Sequence, residues 1–297
     1  MTASKKLIQA SAGNVAGGDF YPYTVDNSCR FNSADSAYLS IPAVTPDSTT
    51  KQAFSCWFKI GLAATQVTLL LNRTASTNYT HLVLQADGTL YFLNYDAGVL
   101  SRKVTTPVFR DPSAWYNFVV IVDTTLATAS DRIKMYVNGE RLTSFGTSAD
   151  PVLNETFRIV PSATLNNIGR YYNGASFFSY ADQYMSQVAV IDGTAVTIAD
   201  FGEDKNGVWV PKDLSGLTFG TGGYLLDFAD SSALGNDVSG NNNDFTSSGL
   251  AASDQMIDTP TNNFATLNPL DNSGIGSPSN GNLFLASATY DTRIGTT

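Results

Sequence analysis

The strongest hydrophobic pattern in the chain lies in two adjoining stretches, residues 115–123 and 131–142. The first is a nearly unbroken run of apolar residues, rich in β-branched and aromatic side chains, which predicts a strand buried on both faces. In the second, Ile133, Met135 and Val137 alternate with polar residues, which is the period of a strand with one buried face. Together the two stretches predict a β-sandwich.

Short turn motifs separate the predicted strands. Asn138-Gly139 follows the half-buried strand, and Asn-Gly favours a tight hairpin because both residues accept positive φ. Asp87-Gly88 predicts a second hairpin, and Asp192-Gly193 predicts a turn. Further strands are predicted at residues 53–59, 67–71, 81–85, 90–93, 157–160, 164–169, 184–192 and 224–228. About a dozen short strands with turns between them predict an all-β fold, in which two antiparallel sheets pack in a jelly-roll order.

Three parts are predicted along the chain. Residues 1–28 are rich in small and polar residues and contain an aromatic cluster at residues 20–23, which indicates an N-terminal arm that docks on its own domain or on a neighbour. Residues 29–261 carry the strand pattern of the sandwich. Residues 262–297 show no strong period, so we expect an extended C-terminal tail or one that depends on a partner.

Charge and composition exclude several partners. The net charge of −9 argues against nucleic-acid binding, which needs clustered lysines and arginines. No apolar run reaches the length of a membrane span or follows the two N-terminal lysines as a signal peptide would. We therefore expect synthesis in a reducing cytoplasm without membrane insertion. Cys29 and Cys56, each in a strand-like segment, are expected to be buried free thiols.

Several segments resemble a known family. Residues 29–40, 54–57, 115–120 and 133–139 resemble the laminin-G-like, concanavalin A-like sandwich. The run from Asp200 to Pro269 is similar to a version of that sandwich found in bacteriophage virion proteins, and the resemblance covers roughly residues 29–270. It implies a virion location, in a head fibre, a capsid decoration or a tail fibre component, with surface binding as the usual role. Other virion proteins would be partners, and phage fibres suggest by analogy a homo-oligomer, for which a trimer is expected.

Catalysis is not expected. Concanavalin A-like glucanases use a strand motif in which two glutamates flank an aspartate, and Glu140, Glu155 and Glu203 are too far apart along the chain to form one. A polysaccharide hydrolase built on an aspartate pair is the alternative, because the chemistry needs only two carboxyl groups at a suitable separation. His81, the single histidine, lies mid-strand beside no nucleophile motif, which favours a structural imidazole.

Hard oxygen ligands are dense between residues 227 and 244. Calcium prefers such ligands, and laminin-G-like domains often carry calcium at the rim of the sandwich. The alternative is that the same side chains cap turns in their own backbone. The candidate calcium ligands are Asp227, Asp230, Asp237, Asn241 and Asp244.

A loop-like stretch after the predicted strand 164–169 combines aromatic rings with polar groups, as sugar-binding sites do. The candidate glycan-binding residues are Tyr171, Tyr172, Asn173, Tyr180 and Asp182. The alternative is that Phe177 and Phe178, in the same stretch, plug the sandwich rim or form an oligomer contact.

These observations lead to three hypotheses. The first is a non-enzymatic virion structural protein that displays a lectin-like sandwich, with adhesion to a host-surface glycan as its activity. The second is a carbohydrate-binding module with or without a virion, and the third is a polysaccharide hydrolase of the concanavalin A-like type.

Overall fold

A computed structural model describes residues 20–61, 66–173, 175–268 and 278–285, with the backbone but not the side chain of Phe178. Two eight-stranded sheets pack face to face, and all strand pairs in them are antiparallel. The predicted all-β sandwich is therefore confirmed. In the described residues no helix is long and apolar enough to cross a bilayer.

The strands of the first sheet are β1 (Ser28–Phe31), β3 (Lys51–Ile60), β8 (Trp115–Asp123), β9 (Ile133–Val137), β10 (Glu140–Arg141), β15 (Gln183–Asp192), β18 (Tyr224–Leu226) and β20 (Gln255–Met256). Their order is β10-β9-β8-β3-β15-β1-β20, and β18 also pairs with β15. The strands of the second sheet are β2 (Tyr38–Ile41), β4 (Val67–Ala75), β5 (Asn78–Leu84), β6 (Thr89–Asp96), β7 (Val99–Val108), β11 (Phe145–Ala149), β12 (Leu165–Ile168) and β19 (Thr246–Ser248). Their order is β11-β7-β6-β5-β4-β12-β2-β19.

Short elements complete the fold. Two hairpins lie outside the main sheets: β13 (Tyr171–Tyr172) with β14 (Phe177–Phe178), and β16 (Gly202–Lys205) with β17 (Val208–Pro211). Single 3-10 turns span Ser33–Asp35, Ala129–Asp131, Ile198–Asp200 and Ala252–Asp254.

The predicted central hairpin is present. Val137 pairs with Glu140 across a two-residue turn, in which Asn138 and Gly139 have φ values of 48° and 80°. These are the left-handed conformations that an Asn-Gly hairpin turn requires. The register brings Val137 opposite Phe118 of β8, so the hairpin extends the first sheet at its edge.

Two apolar layers enclose the first sheet. Its inner face packs against the second sheet through large buried side chains such as Phe54, Phe58 and Phe118. Its outer face is covered by the chain after residue 196, which contributes Phe201, Leu214, Phe219 and Leu225. A second apolar cluster on the first sheet contains Trp57, Trp115 and Tyr184, and Trp209 and Met256 pack against it. This double burial explains the unbroken apolar run in β8.

A buried lysine joins the outer face of the first sheet to the C-terminal segment. The Lys59 Nζ atom is 2.9 Å from Asp258 Oδ2, and it also donates to Asn263 Oδ1 and the Phe264 carbonyl at 2.8 Å. Both charged side chains of the Lys59–Asp258 pair are almost fully buried. Trp115 Nε1 donates to the other Asp258 oxygen at 3.0 Å. The carboxylate thus fixes the segment on the sheet.

The predicted division at residue 261 stays a prediction, and Lys59 binds residues on both sides of it. Residues 262–268 come shortly after Asp258 in the sequence. Further along, the Gly281 carbonyl accepts a hydrogen bond from Tyr184 Oη at 2.6 Å. The described parts of the predicted tail therefore pack on the sandwich, because polar groups of the first sheet bind their backbone. Residues 1–19 of the predicted arm lie outside the described residues. In the described part of the arm, the Val25 backbone exchanges hydrogen bonds with the Thr261 hydroxyl.

Both cysteines are free and buried, as predicted. Burial raises the pKa of the Cys29 and Cys56 thiols well above the usual value, so both are protonated at neutral pH.

Candidate functional site

The outer face of the second sheet carries an aromatic and basic row. The strand register places Arg73 opposite Tyr79, and Tyr79 opposite Tyr95. The residues beside them in sequence, Asn72 and Thr80, are fully buried in the sandwich interior. Because side chains alternate along a strand, Arg73, Tyr79 and Tyr95 point to the outer face.

The β13–β14 hairpin lies against this row. The Tyr171 ring stacks on His81, with centroids 4.9 Å apart and planes at 20°. Tyr172 packs against Phe177 across the hairpin at 4.8 Å. Phe177 remains 38% exposed, which leaves one aromatic surface accessible beside the sheet.

A groove of about 470 Å³ opens between the hairpin and the ends of β4 and β12. Its size lies within the roughly 300–1,000 Å³ of ordinary ligand sites. The lining combines an arginine, two rings and several hydroxyl groups: Arg73, Thr74, Ala75, Ser76, Thr164, Leu165, Tyr172 and Phe177.

Arg73 is the charged centre of the groove. Its guanidinium lies 5.0 Å from the Tyr79 centroid and 5.8 Å from the Tyr172 centroid. Its Nη1 donates to the Tyr172 carbonyl at 3.5 Å, the outer limit of a hydrogen bond. In the described residues no carboxylate forms an ion pair with it. The arginine is 7% exposed and still lines the groove.

The titratable groups beside Arg73 are neutral, so the positive charge of the groove lies on the arginine. Burial, and then the Arg73 charge, lower the pKa of His81 from 6.5 to about 3, so the imidazole is neutral at physiological pH. Its Nε2 lies 3.4 Å from Thr68 Oγ1. Burial also raises the pKa of Tyr79, which keeps that phenol neutral. His81 is buried in its strand and stacks on Tyr171, and its structural role stays a prediction.

A second arginine positions the hairpin. The Arg170 guanidinium lies 3.4 Å from the Tyr38 centroid and 3.6 Å from the Phe177 centroid, and its Nε donates to Asn167 Oδ1 at 3.0 Å. The cation–π contact with Arg170 holds the Phe177 ring in place. The aromatic surface beside the groove is therefore anchored to the second sheet.

Of the five predicted glycan-binding residues, Tyr172 lines the groove and the others do not. Tyr172 lines the groove and Tyr171 covers His81, whereas Asn173 Oδ1 accepts the amides of Ala175 and Ser176 at 2.8 and 2.9 Å inside the hairpin turn.

Tyr180 and Asp182 do not line the groove. Tyr180 lies 6.2 Å from the Tyr38 ring. Asp182 is buried, accepts the Ser33 amide at 2.9 Å, and lines a separate cavity of about 90 Å³. The sequence therefore grouped residues that the fold separates.

The predicted calcium segment forms turns. Asp237 Oδ1 accepts the amides of Leu225 and Ser239, and its Oδ2 accepts the Ser239 hydroxyl and the Asn243 amide. Donated protons thus surround the carboxylate, which satisfies it without a cation.

The other four predicted calcium ligands are used in the same way. Asp227, Asp230 and Asp244 each accept a nearby backbone amide, and Asn241 donates to the Gly220 and Gly223 carbonyls. Within the described ranges no group of three or more His, Cys, Asp or Glu side chains could hold a metal ion. The geometry favours the turn interpretation, and calcium stays an untested prediction.

The sequence did not identify Arg73, Tyr79 and Tyr95 as part of a site. The pattern that could have found them is their outward position in β4, β5 and β6, which places them in one cross-strand row. This position depends on register, since a β-bulge between Thr68 and Leu70 shifts the alternation in β4.

The three glutamates lie away from the groove, and none of them lines it. Glu155 accepts hydrogen bonds from Asn94 and Ser101 at 2.8 Å inside the sandwich. Glu140 lies on the exposed edge strand β10, and Glu203 lies on β16.

Comparison with known proteins identifies the family to which this sandwich belongs. The model of a family named Laminin_G_3, described as the concanavalin A-like lectin/glucanases superfamily, matches residues 32–196, more than half of the chain. The chain belongs to this concanavalin A-like superfamily. The matched region contains β2 and the strands through β15, including the aromatic row and the β13–β14 hairpin.

A solved structure shows the same fold at low identity. A candidate carbohydrate-binding protein from Bacteroides ovatus superposes with a TM-score of 0.53 at 17% identity, covering 76% of this chain and 59% of that one. This chain thus spans less than two thirds of that protein. A heptameric pentraxin from Limulus polyphemus superposes with a TM-score of 0.42 at 14% identity, covering 61% of this chain and 81% of its own. No curated protein matches the chain.

Proposed function

We propose that this concanavalin A-like protein binds a glycan in the Arg73–Tyr172 groove and performs no catalysis. The observation that carries the proposal is the open aromatic surface of Tyr172 and Phe177 beside a groove lined with hydroxyl groups. Aromatic faces bind the apolar faces of sugar rings, and hydroxyl side chains both donate to and accept from sugar hydroxyls. The Bacteroides ovatus protein, a candidate carbohydrate-binding protein of the same fold, agrees with this proposal.

The lining of the groove supports a binding role over hydrolysis. Glycoside hydrolysis needs two carboxyl groups on either side of the scissile bond. No aspartate or glutamate is found among the described lining residues. A polysaccharide hydrolase would release reducing ends from a bound polysaccharide, and we expect none from this protein.

A glycan array tests the binding role. We expect signals for a subset of glycans. Arrays run in calcium and in chelator show whether binding needs calcium. Tyr172→Ala and Phe177→Ala each remove one ring, and we expect each to weaken binding about tenfold or more, since a ring face contributes about 1–3 kcal/mol of burial. Phe284→Ala, a change at a 55% exposed phenylalanine outside the groove lining, is the control. An array with no signal in either calcium or chelator would overturn the proposal.

We further propose a bacteriophage particle as the location, with the sandwich displayed as a head fibre, capsid decoration or tail fibre component. The support is the resemblance of residues 200–269 to virion proteins. In the structure much of this run covers the first sheet, so the groove on the second sheet stays open. A homo-oligomer, with a trimer as the expected state, would present several grooves.

Particle assembly tests the location. The expected result is that a labelled protein is seen on particles by electron microscopy, and that deletion of residues 1–24, which leaves the Val25–Thr261 contact and β1 intact, prevents its incorporation. Normal incorporation of the truncated protein would contradict attachment through the arm. Absence of label from purified particles would contradict the location itself, without affecting the glycan array.

A further inference from the structure

Arg73 sets the charge of the groove, in a protein whose overall charge is −9. An arginine that is only 7% exposed usually has an anionic partner, because burial of an unpaired charge is costly. In the described residues Arg73 has two ring faces and one 3.5 Å hydrogen bond instead.

These contacts leave most of the donors of Arg73 unused. A guanidinium has five N–H groups in a planar fork, and this geometry matches two oxygens of a carboxylate. The Tyr79 and Tyr172 rings lie 5.0 and 5.8 Å from the guanidinium carbon, and these contacts supply no anionic acceptor. An anionic group at the groove could therefore bind the edge of the fork while Tyr79 and Tyr172 keep their positions.

The remaining groove residues add no negative charge that would repel an anion. The lining is neutral apart from Arg73. His81, which stacks on Tyr171, is neutral because its pKa is lowered to about 3. The strand pairing beyond Tyr79 brings another tyrosine, Tyr95, into the row.

The hydroxyl groups restrict the class of ligand. Thr74, Ser76 and Thr164 line the same groove as Arg73, and the Tyr172 and Phe177 rings line its other part. A simple inorganic anion would use only the arginine. A sugar ring that carries an acidic substituent would use the arginine, the hydroxyl groups and the rings together.

We infer that the groove takes an acidic saccharide and that Arg73 binds its anionic substituent. This inference rests on the proposed glycan binding and names the class of glycan. The shared chemistry is an anionic oxygen group on a sugar, which either a carboxylate or a sulfate supplies.

Titration calorimetry on the full chain tests the inference with three probes. These are a tetragalacturonate, its methyl ester as the neutral match, and a sulfated heparin tetrasaccharide. We expect one or both acidic probes to bind about tenfold or more tightly than the ester, with an affinity that falls as salt is added. The tighter acidic probe identifies the source of the anion.

Variants of Arg73 show whether that preference comes from this residue. Arg73→Gln is expected to abolish the preference for acidic probes, and Arg73→Lys to retain part of it, because lysine keeps the charge and loses the fork. Arg141→Gln, on the other sheet and paired with Asp131, should leave the preference unchanged. Circular dichroism spectra that match wild type show that each variant is folded.

The outcomes separate this inference from the function on which it rests. Equal affinity for the acidic and the neutral probes, or a preference that survives in Arg73→Gln, would overturn the inference while glycan binding stands. Failure of all three probes together with an empty glycan array would overturn both. If the array shows only neutral glycans, the inference alone is wrong.

Discussion

The two sheets of the sandwich differ most on their outer faces. The outer face of the first sheet lies beneath a second apolar layer and a buried Lys59–Asp258 ion pair. The outer face of the second sheet carries the row of Arg73, Tyr79 and Tyr95, with the β13–β14 hairpin and a groove beside it. We therefore expect residues on the covered face to matter mainly for stability and residues of the groove mainly for the proposed binding. Substitutions on the two faces should have opposite profiles of stability and binding.

The largest difference is expected at Lys59. Lys59→Met leaves the Asp258 carboxylate buried without its cation, and we expect a loss of about 3–5 kcal/mol in the free energy of unfolding, measured by urea denaturation. Arg141→Met breaks an ion pair whose side chains are both 42% exposed, and it should cost about 1 kcal/mol or less. Similar losses in the two variants would show that the covering segment does not bury this charge.

Two glycines give a matched test of the covering layer. Gly139 and Gly98 both have positive φ, at 80° and 97°, so alanine strains either turn by about 1–2 kcal/mol. A Cβ at Gly139 would lie 2.3 Å from Trp209 Cε3, whereas nothing lies within 4 Å of one at Gly98. Overpacking should cost Gly139→Ala about 1–3 kcal/mol more than Gly98→Ala in unfolding measurements. Equal losses of unfolding free energy in the two variants would show that Trp209 does not pack against Gly139.

The second sheet contributes a pH-dependent term to stability through the buried His81. The imidazole has a pKa of 6.5 when it is exposed in the unfolded chain and of about 3 in the folded protein. Between these values the unfolded chain binds a proton that the folded chain does not. This stabilisation is complete above about pH 6.5 and is lost as the pH falls towards 3, by up to about 1.4 kcal/mol per pH unit.

His81→Gln removes this titration. The free energy of unfolding should fall by about 2 kcal/mol more in the wild type than in His81→Gln when the pH is lowered from 7 to 5. Parallel pH profiles for the two proteins would show that the imidazole is not protected from protonation.

The smallest stability effect is expected in the aromatic row. Tyr95→Ala removes a half-buried ring on the outer face of the second sheet, outside the groove lining, and we expect a loss of about 1 kcal/mol or less in the free energy of unfolding. Tyr136→Ala removes a ring that packs against the covering layer of the first sheet, so thermal denaturation should show the larger loss there without a change in binding. The reverse order would contradict the division between the faces.

Local patterns were enough to predict the sandwich. The alternation of Ile133, Met135 and Val137 and the Asn138-Gly139 turn are properties of neighbouring residues, and the structure contains the hairpin that they indicate. The apolar run in β8 also indicated burial on both faces, although it did not reveal what covers the outer one.

The site was predictable only in part, because it depends on register and on distant contacts. Tyr172 was identified from its aromatic neighbours, but Arg73 comes from a strand about a hundred residues earlier and meets it through the second sheet. Asp237 was a candidate calcium ligand by residue type, and its oxygens instead accept amides from Leu225 and Asn243. Single-sequence patterns do not contain such pairings.

The pairing of β1 with β20 has a consequence for how the protein can be mounted. Ser28 lies opposite Met256, so the start of β1 and the strand β20 lie side by side at one edge of the first sheet. A tether at either position would hold the groove on the opposite layer facing outward. Several copies fixed on one support would then engage a repetitive polysaccharide together, and the effective concentration would turn weak single contacts into avid adhesion.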